Sequence, residues 1–493
     1  MGPEIEKLHA DLRSDRFIQD LSRAEDLALV RGDVQRIARA MDSGADAPPM
    51  MWTGIPFPSA LRALKSSSYY LVVSVGGTKT EYALLRLEDG EVCILDRNGE
   101  ERRGAEIARV QESLRIATPT QAETQSGLAM IERIAEAIAA YLAPHADRLG
   151  RRVETLLSWG FASKAVRTAE RVLGGVAAFT TLMTKEQSAF TADLTGKDPG
   201  RLLGCALERR LGWKCTVTVA NDGIMALHYF LGPGNLRAYE RLGLFINGTG
   251  TNFAMAERHA VRAEGVVSAS GEKYQPRRLT RGQIPGPGEH EELYFVNYET
   301  GSIPLEATLT IYDDPTLDYP MEENVLSGGN AFEQQFRNVL KARVSATLYL
   351  DLVEARRKVA PGHPAPRGPE VASLAVEGTS AIPRIFPGVL LTPEDCERLV
   401  LVARAIVERS ALHAAIILSA VTERSRFGLG GDSGKPDLLA MEGSVWSTQG
   451  YKDRVKRAWQ ALVGSEALHV DFESEASYNA SLSGPLYFAL IHA

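Results

Sequence analysis

Two short segments of similar pattern constrain the fold of this chain more than any other feature. Each is an apolar strand, a glycine turn and a second strand: VVSVGGTKTEYALL at 72–85 and GLFINGTGTNFAMAE at 243–257. Glycine lets the backbone approach an anion closely, and successive amide N–H groups can form a nest around phosphate oxygens. One such hairpin is typical of any tight β-turn, whereas two in one chain indicate a nucleotide held between two lobes.

The segments around the hairpins predict an α/β fold with a duplicated core. YYLVVSV is a continuous apolar run, as expected of a strand buried on both faces. With the segment that follows and its Asp89-Gly90 turn signal, it predicts a three-stranded antiparallel start to a sheet. Residues 126–142 have helical periodicity with Ser126 as cap, and PGRLLGCALERRLG has Gly212 as its stop. The two similar hairpins indicate two copies of a β-β-β-α-β-α unit.

The C-terminal half is predominantly helical in pattern. The segment 399–424 is long and largely apolar, and it predicts a core helix. The closing segment HVDFESEASYNASLSGPLYFALIHA predicts a strand, a small-residue loop and a short helix.

Length, charge and cysteine usage exclude several classes of protein. A chain of 493 residues predicts about two or three domains. The net charge of −7 argues against nucleic-acid binding, which needs a basic face. The sequence has no apolar run of membrane-spanning length, and its start, MGPEIEKLHADL, is not a signal peptide. The four cysteines form no Cys-x-x-Cys pair, which argues against a zinc knuckle or a disulfide framework. We expect a cytoplasmic protein without a structural metal.

A polar pair follows another apolar strand. In TVANDG, Asn221 and Asp222 stand where the strand stops, and ligands in open α/β sheets bind at the carboxyl ends of strands. A carboxylate there can accept a proton from a substrate hydroxyl as a phosphoryl group arrives. Aspartate before a helix is also a common cap, so this pair alone leaves both interpretations open.

Several further segments follow in a characteristic order. Between the hairpins come LSWGFAS, LMTKEQSAFTADLTGKDPG and VANDGIMAL, and after them come VNYETGSI, EENVLSGG and VERSALHAAIILSAV. Together with the two hairpins, they resemble the motifs of the long-chain eukaryotic-type hexokinase family, within the actin-like ATPase superfamily. The resemblance implies a two-lobed, ribonuclease H-like fold with sugar and ATP in the cleft. The small lobe would comprise residues 71–222 and 477–493, and the large lobe residues 1–70 and 223–476.

The resemblance also implies an activity and a set of site residues. The implied enzyme is an ATP-dependent hexokinase that transfers the γ-phosphate of Mg-ATP to the 6-hydroxyl of a hexose, glucose being the first expectation. Asp222 is implied as the general base. The implied sugar-binding residues are Asp222 with Ser163, Thr184, Lys185, Asn221, Asn252, Glu299 and Glu323. The implied nucleotide-binding residues are Gly76, Gly77, Thr78, Lys79, Gly248, Thr249, Gly250, Thr251, Gly443, Ser444, Ser481, Ser483 and Gly484. ATP and Mg²⁺ are the implied cofactors, with no protein residue assigned as a metal ligand and a monomer or homodimer as the implied assembly.

The chain departs from the family pattern at the first hairpin. The family form is Leu-Asp-Leu-Gly-Gly-Thr-Asn-Phe-Arg, in which the aspartate reaches magnesium through water. Here Ser74 replaces that aspartate, and Glu81 stands where the arginine is usual. We expect an active kinase slowed by a loss on the order of 1–3 kcal/mol. On this interpretation, Ser74→Asp should be faster than the parent.

Three alternatives stay open at the level of sequence. A second departure lies around Ser163, where LSWGFAS stands in place of the family's sugar loop, Gly-Phe-Thr-Phe-Ser-Phe-Pro, and lacks its Ser-Phe-Pro end. The changes at the first hairpin and in this loop are compatible with a sensor that binds sugar or nucleotide without turnover. The altered loop around Ser163 is compatible with a kinase for another hexose, such as mannose, fructose or an amino sugar. The phosphoryl donor could also be pyrophosphate or ADP, as in related sugar kinases.

Overall fold

The computed structural model describes most of the chain. It covers residues 2–42, 53–56, 68–76, 79–117, 126–160, 164–168, 171–178, 184–185, 188–189, 192–194, 197–231, 235, 238–248, 250–262, 277–278, 286–298, 300, 303, 308–313, 323–328, 330–360, 365–429, 434–464, 468–474 and 477–492. The description covers the backbone alone at residues 40, 42, 53–56, 164–168, 171–178, 184–185, 188–189, 192, 257–262, 277–278, 291–294, 323–324, 330, 359, 474, 477–479, 481 and 492.

The described residues form helices and strands in alternation. The helices are α1 (Pro3–Ser14), α2 (Ala24–Asp42), α3 (Glu106–Ser113), α4 (Gly127–Leu142), α5 (Ala146–Leu149), α6 (Pro199–Leu211), α7 (Asp222–Tyr229), α8 (Glu323–Leu326), α9 (Asn330–Val339), α10 (Ala346–Val359), α11 (Gly368–Glu377), α12 (Ile382–Ile385), α13 (Pro393–Ser425), α14 (Tyr451–Val463) and α15 (Ser477–His492). The strands are β1 (Thr53–Pro56), β2 (Tyr70–Val75), β3 (Lys79–Glu88), β4 (Glu91–Leu95), β5 (Glu101–Arg102), β6 (Arg115–Ala117), β7 (Arg152–Trp159), β8 (Lys164–Thr168), β9 (Arg171–Ala178), β10 (Thr184–Lys185), β11 (Ser188–Ala189), β12 (Lys214–Asn221), β13 (Leu242–Asn247), β14 (Thr251–Arg262), β15 (Arg277–Arg278), β16 (Glu289–Asn297), β17 (Asp437–Glu442) and β18 (Val470–Ser474).

The first large sheet is built around β2. Its order is β12-β7-β2-β3-β4-β5, and β6 also pairs with β3. Strands β2, β3 and β4 form an antiparallel meander, whereas β7 and β12 lie parallel to β2. The parallel strands need long crossovers, and helices α4 and α6 lie in the crossovers to β7 and β12. The three-stranded antiparallel start that the sequence predicts is therefore confirmed.

The second large sheet repeats this arrangement around β13. Its order is β1-β16-β14-β13-β17-β18, and β15 pairs with β14. Strands β13, β14 and β16 are antiparallel, whereas β17 and β18 lie parallel to β13. Each sheet thus contains a meander of three antiparallel strands. Two further strands lie parallel to the first strand of the meander, on the side away from the second strand. The predicted duplication of the core is confirmed.

Apolar side chains form one core beside each sheet and a third between the sheets. The first core joins the first sheet to α4, α6 and part of α15. The largest core joins the second sheet to α1, α2 and the long helix α13, whose middle is buried on all sides. The third core brings Ile224 of α7, Phe488 of α15 and Ala254 of β14 together. The assignment of chain segments to two lobes stays a prediction, but α7 and α15 clearly connect the two sheets.

Local sequence signals agree with the structure except at the C-terminus. Ser126 caps α4 by accepting from the Ala129 backbone N–H, and Gly212 ends α6 in the left-handed conformation. The predicted small-residue loop is wrong, because the chain is helical from Ser477 onwards. Small residues there serve packing: a Cβ on Gly484 would lie 2.1 Å from the Met225 carbonyl oxygen of α7. Glycine at this position therefore lets α15 lie directly against α7.

Among the described helices, none is both long enough and apolar enough to cross a membrane.

Candidate active site

Three parallel strands of the first sheet end side by side. Val75 of β2 pairs with Trp159 of β7, which in turn pairs with Asn221 of β12. The backbone N–H of Gly160 donates to the Val75 carbonyl oxygen at 2.9 Å, which extends the pairing past the strand ends. The first glycine turn and Asp222 therefore lie at the same edge of the sheet, as expected of a ligand site in an α/β fold.

Asp222 occupies the first position of α7. Its Oδ1 accepts from the Gly223 N–H at 2.8 Å, and the Oδ1 of Asn221 accepts from the same N–H at 2.8 Å. A Cβ placed on Gly160 would lie 2.8 Å from Asp222 Oδ2, so any side chain at Gly160 would collide with the carboxylate. The cap and the catalytic interpretations of this pair are thus compatible, since Asn221 serves as the N-cap while Asp222 faces the Gly160 backbone.

The first glycine turn carries charged side chains. Gly76 N–H donates to the Lys79 carbonyl oxygen at 2.9 Å and closes the turn; Gly77 and Thr78 lie outside the described residues. Lys79 Nζ donates to Glu81 Oε1 at 2.8 Å, and Arg115 Nε donates to the same oxygen at 2.6 Å. A buried carboxylate with two cations therefore stands directly behind the turn.

The second glycine turn is held by backbone contacts. Gly248 N–H donates to the Gly250 carbonyl oxygen at 2.9 Å, and the Gly248 carbonyl accepts from Gly328 N–H at 2.8 Å. Thr251 Oγ1 donates to the Ile246 carbonyl oxygen at 3.1 Å, so the hydroxyl ties the two strands together. Thr249 lies outside the described residues.

The end of β17 abuts the second turn. Gly443 has φ +106°, and a Cβ there would lie 2.3 Å from the Asn247 carbonyl oxygen. Glycine is required at this position for both reasons. Ser444, the next residue, is exposed beside the turn. Gly248, Gly443 and Ser444, which the sequence assigns to the nucleotide, are therefore neighbours in the structure.

Asn252 presents an unsatisfied acceptor. Its side chain is 8% exposed, yet among the described residues its Oδ1 has no hydrogen-bond partner. Its Nδ2 lies 3.2 Å from the position that a Cβ on Gly223 would occupy, at the start of α7. Buried polar atoms in native proteins are almost always hydrogen-bonded. An unsatisfied oxygen beside Asp222 therefore points to a ligand that donates a hydrogen bond.

Glu442 is a candidate that the sequence interpretation missed. It is the last residue of β17, and its Oε2 is buried without a hydrogen-bond partner among the described residues. Its pKa is raised to about 8, first by burial and then by the negative charge of Asp222; Glu81 adds to the rise and Lys79 opposes it. A polar residue at the carboxyl end of a strand, followed by Gly-Ser, was a signal that could have found it.

These charges join the two sheets into one site. Asp222 and Lys79 belong to the side of the first sheet and Glu442 to the second sheet, and the charges of Asp222 and Lys79 both act on the pKa of Glu442. Near neutral pH the Glu442 carboxyl holds a proton and can donate a hydrogen bond.

The remaining predicted site residues are described less completely. Ser163 and Glu299 lie outside the described residues. For four others the backbone alone is described: Thr184 and Lys185 form β10, Glu323 begins α8 and Ser481 lies in α15. Ser483 and Gly484 are buried within α15 rather than in a turn. A nucleotide contact for any residue of α15 stays a prediction.

The two sheets of matching topology define a two-lobed α/β fold. Two solved structures share it over almost their whole length. The hexokinase from Schistosoma mansoni complexed with glucose is 16% identical, with a TM-score of 0.63, covering 99% of this chain and 98% of that chain. A second hexokinase crystal structure is 16% identical, with a TM-score of 0.60, covering 99% of each chain. At this identity the likeness shows the fold, and the predicted actin-like ATPase architecture is confirmed.

A sequence match to a family model covers part of the C-terminal half. Residues 373–490 match the sequence model of the family described as Hexokinase. The predicted hexokinase-family resemblance is thereby confirmed, and the match supports the predicted enzyme class, a phosphotransferase that acts on a sugar hydroxyl. A sequence search of curated proteins gives no significant match.

Proposed function

We propose that this protein is an ATP-dependent hexokinase that transfers the γ-phosphate of Mg-ATP to the 6-hydroxyl of a hexose, with glucose as the first substrate to test. The observation that carries the proposal is the position of Asp222. Its carboxylate lies at the strand ends that carry the first glycine turn. Its negative charge raises the pKa of Glu442, which lies beside the second turn. A phosphoryl group held by both turns would therefore lie close to a proton acceptor.

The hexose would be recognised by its hydroxyl groups. Asn252 supports this because its buried Oδ1 lacks a partner among the described residues and would accept from a sugar hydroxyl. The other proposed contacts are the sequence-derived set Ser163, Thr184, Lys185, Asn221, Glu299 and Glu323. A site built from such groups rejects analogues that lack a hydroxyl, because its own polar atoms would then be left unpaired.

Asp222 would act as the general base. It accepts the proton of the attacking hydroxyl while the phosphoryl group is transferred, a contribution typically worth about 10²–10⁴ in rate. The Gly223 N–H fixes one carboxylate oxygen, and the glycine at 160 leaves space beside the other. These contacts would hold the Asp222 carboxylate in one orientation.

The nucleotide would be held by the two glycine turns. The residues that would contact the phosphates are Gly76 and Lys79 at the first turn and Gly248, Gly250, Thr251, Gly443 and Ser444 at the second. Magnesium, when bound with the nucleotide, neutralises the charge that develops on the phosphates. The phosphates are its main ligands, so the serine at position 74 does not by itself prevent metal binding. We place the reaction in the cytoplasm.

A second candidate function is a sensor that binds sugar or nucleotide without turnover. Ser74 favours it, since the first turn lacks the acid that the family has there. Kinases for mannose, fructose or an amino sugar form a third group, because the altered loop around Ser163 would contact the sugar.

A coupled assay for ADP release tests the proposal. Glucose, mannose, fructose and glucosamine are supplied with Mg-ATP, and calorimetry measures sugar binding in parallel. Asp222→Asn is expected to lower kcat by about a thousandfold while glucose binding persists. Asp395→Asn, in the first turn of α13 and far from the cleft, is the matched control and should keep parental turnover. Glucose binding without turnover by the parent chain would favour the sensor.

A further inference from the structure

Three side chains stand in one row across the first sheet. Ser74 of β2 pairs directly with Glu81 of β3, and Glu81 pairs on its other side with Arg115 of β6. Residues directly opposite each other on neighbouring strands project from the same face and have Cβ atoms about 4.5–5.5 Å apart. Lys79 belongs to this face too, because it precedes Glu81 by two residues along β3.

The centre of the row is a buried carboxylate. The Glu81 side chain is 3% exposed, whereas Lys79 is 42% and Arg115 is 32% exposed. Both cations donate to the same oxygen, Oε1, at 2.8 Å and 2.6 Å. Arg115 Nη1 also lies 3.7 Å from Glu112, which is 74% exposed. Around Glu81, two positive charges thus accompany one buried negative charge, and the cations keep access to solvent.

The row lies at the edge of the first sheet that carries the first glycine turn and Asp222. Val75, next to Ser74, pairs with Trp159, which in turn pairs with Asn221. The charges of Lys79 and Glu81 both affect the pKa of Glu442, which lies at the end of β17 in the second sheet. The charges are therefore placed where the terminal phosphates of a donor would enter.

We propose that Glu81 positions Lys79 and Arg115 as a pair of cations that binds the terminal phosphates of the phosphoryl donor, which makes Arg115 an additional binding residue. This inference rests on the proposed function, because it assigns a role within the same cleft. Charge-assisted hydrogen bonds to phosphate are among the strongest in proteins, and a guanidinium can offer two parallel donors. The buried Glu81 would fix both side chains before the donor arrives.

The same register reverses one expectation from the sequence. Ser74→Asp should be faster if the first turn merely lacks a carboxylate. The structure instead has a buried carboxylate directly opposite, at Glu81, so a second one would face it across the strands. Like charges directly opposite destabilise a sheet pair, and the new carboxylate would compete for Lys79 and Arg115. Ser74→Asp is therefore expected to be slower than the parent.

Single substitutions of the cations test the proposal. Lys79→Met and Arg115→Met should each raise the KM for ATP by about tenfold and leave the KM for glucose within about twofold of the parent. Arg103→Met and Arg102→Met are matched controls: these arginines are 42% and 33% exposed, and both pair with acids elsewhere in the first half of the chain. The proposal is wrong if the control variants change the KM for ATP as much as the test variants do.

A rescue experiment separates positioning from a merely structural role. Glu81→Gln removes the negative charge and should also raise the KM for ATP by about tenfold. Ser74→Asp combined with Glu81→Gln moves the carboxylate to the opposite strand and should bring the KM for ATP back towards the parental value. Equal KM values for ATP in Glu81→Gln and in the double variant would overturn the positioning role, provided that unfolding midpoints show both chains folded.

Direct binding distinguishes failure of this inference from failure of the proposed function. Calorimetric titration of ATP into the same variants gives the comparison without turnover. Intact ATP binding with no sugar phosphorylation would count against the proposed function alone. Parental ATP affinity in Lys79→Met and Arg115→Met would count against the cation pair alone.

Discussion

The two glycine hairpins have the same topology but different physical chemistry. Behind the first turn lie ionised groups, with Glu81 buried between Lys79 and Arg115. Behind the second turn lie neutral amides, Asn247 and Asn252, both buried. Each hairpin joins the first two strands of an antiparallel meander, and the five strands centred on each meander have the same order in both sheets. The backbone path is therefore the same in the two hairpins, while the side chains behind the turns differ.

The difference indicates what each hairpin should tolerate. The cations of the first hairpin are half-exposed, so changes of charge should alter ligand binding there more than they alter the fold. The second hairpin is fixed by close backbone contact with Gly443 and by a buried hydroxyl network under Asn247. Changes of volume or of hydrogen bonding should therefore affect both its fold and its ligand binding.

Gly443→Ala should have the largest effect on the second hairpin. The new Cβ would lie 2.3 Å from the Asn247 carbonyl oxygen, at a φ of +106° that side chains rarely adopt. We expect the free energy of unfolding to fall by about 3 kcal/mol and ATP binding to be lost at millimolar concentration. Urea unfolding and calorimetric titration of ATP measure the two effects.

Gly90→Ala is the matched control in the first half of the chain. Gly90 has φ +83° in the turn between β3 and β4, and a Cβ there meets no atom within 4 Å. It should cost about 1 kcal/mol through backbone strain alone and leave ATP affinity unchanged. Equal effects of the two substitutions would show that strain, rather than the contact with Asn247, determines the result.

Tyr451→Phe should have an intermediate effect. Asn247 Nδ2 donates to the Tyr451 hydroxyl at 3.0 Å, and that hydroxyl lies 2.9 Å from Ser410 Oγ, which donates to the Leu326 carbonyl oxygen. Loss of the hydroxyl leaves the buried Asn247 amide without this partner. We expect the free energy of unfolding to fall by about 2 kcal/mol and the KM for ATP to rise several-fold.

Tyr141→Phe is the corresponding change in the first half. The Tyr141 hydroxyl is also buried; it accepts from Leu84 N–H at 3.1 Å and donates to the Leu95 carbonyl oxygen at 2.6 Å. These partners lie away from the first turn, so stability should fall comparably without a change in the KM for ATP. An unchanged KM for ATP in Tyr451→Phe as well would refute the link between that network and the second turn.

Sequence patterns predicted the fold well because local signals and topology agree. Apolar runs, glycine turns and the Ser126 cap all act within a few residues, and the family resemblance supplied the two-lobed architecture. The small-residue segment after Ser477 misled the interpretation, since packing of Gly484 against Met225 favours a helix that composition does not indicate. Long-range burial overrode local propensity there.

The candidate site was less predictable from the sequence. Asp222 and the two turns follow strands directly, so their rough position could be inferred. Arg115 could not, because its importance depends on its register opposite Glu81. Glu442 carried only the weak signal of a polar residue at the end of a strand, and its neighbours in the first sheet are visible only in the structure. The pairing of Ser74 with Glu81 is visible only from the register, and it changes the meaning of the missing aspartate.

The smallest expected effect concerns the proton that keeps Glu442 neutral. Its pKa is raised from 4.5 to about 8, so the folded chain holds a proton that the unfolded chain releases. The stability linked to that carboxyl is fully present below pH 4.5 and is lost as the pH rises to about 8. Glu442→Gln removes the titration, so the variant should gain about 1 kcal/mol relative to the parent between pH 7 and pH 8. Urea unfolding of the parent and the variant across this range measures the difference. Glu25→Gln, at an exposed position, is the control and should show no trend with pH. A difference between Glu442→Gln and the parent that is constant with pH would mean that Glu442 is already ionised in the folded chain.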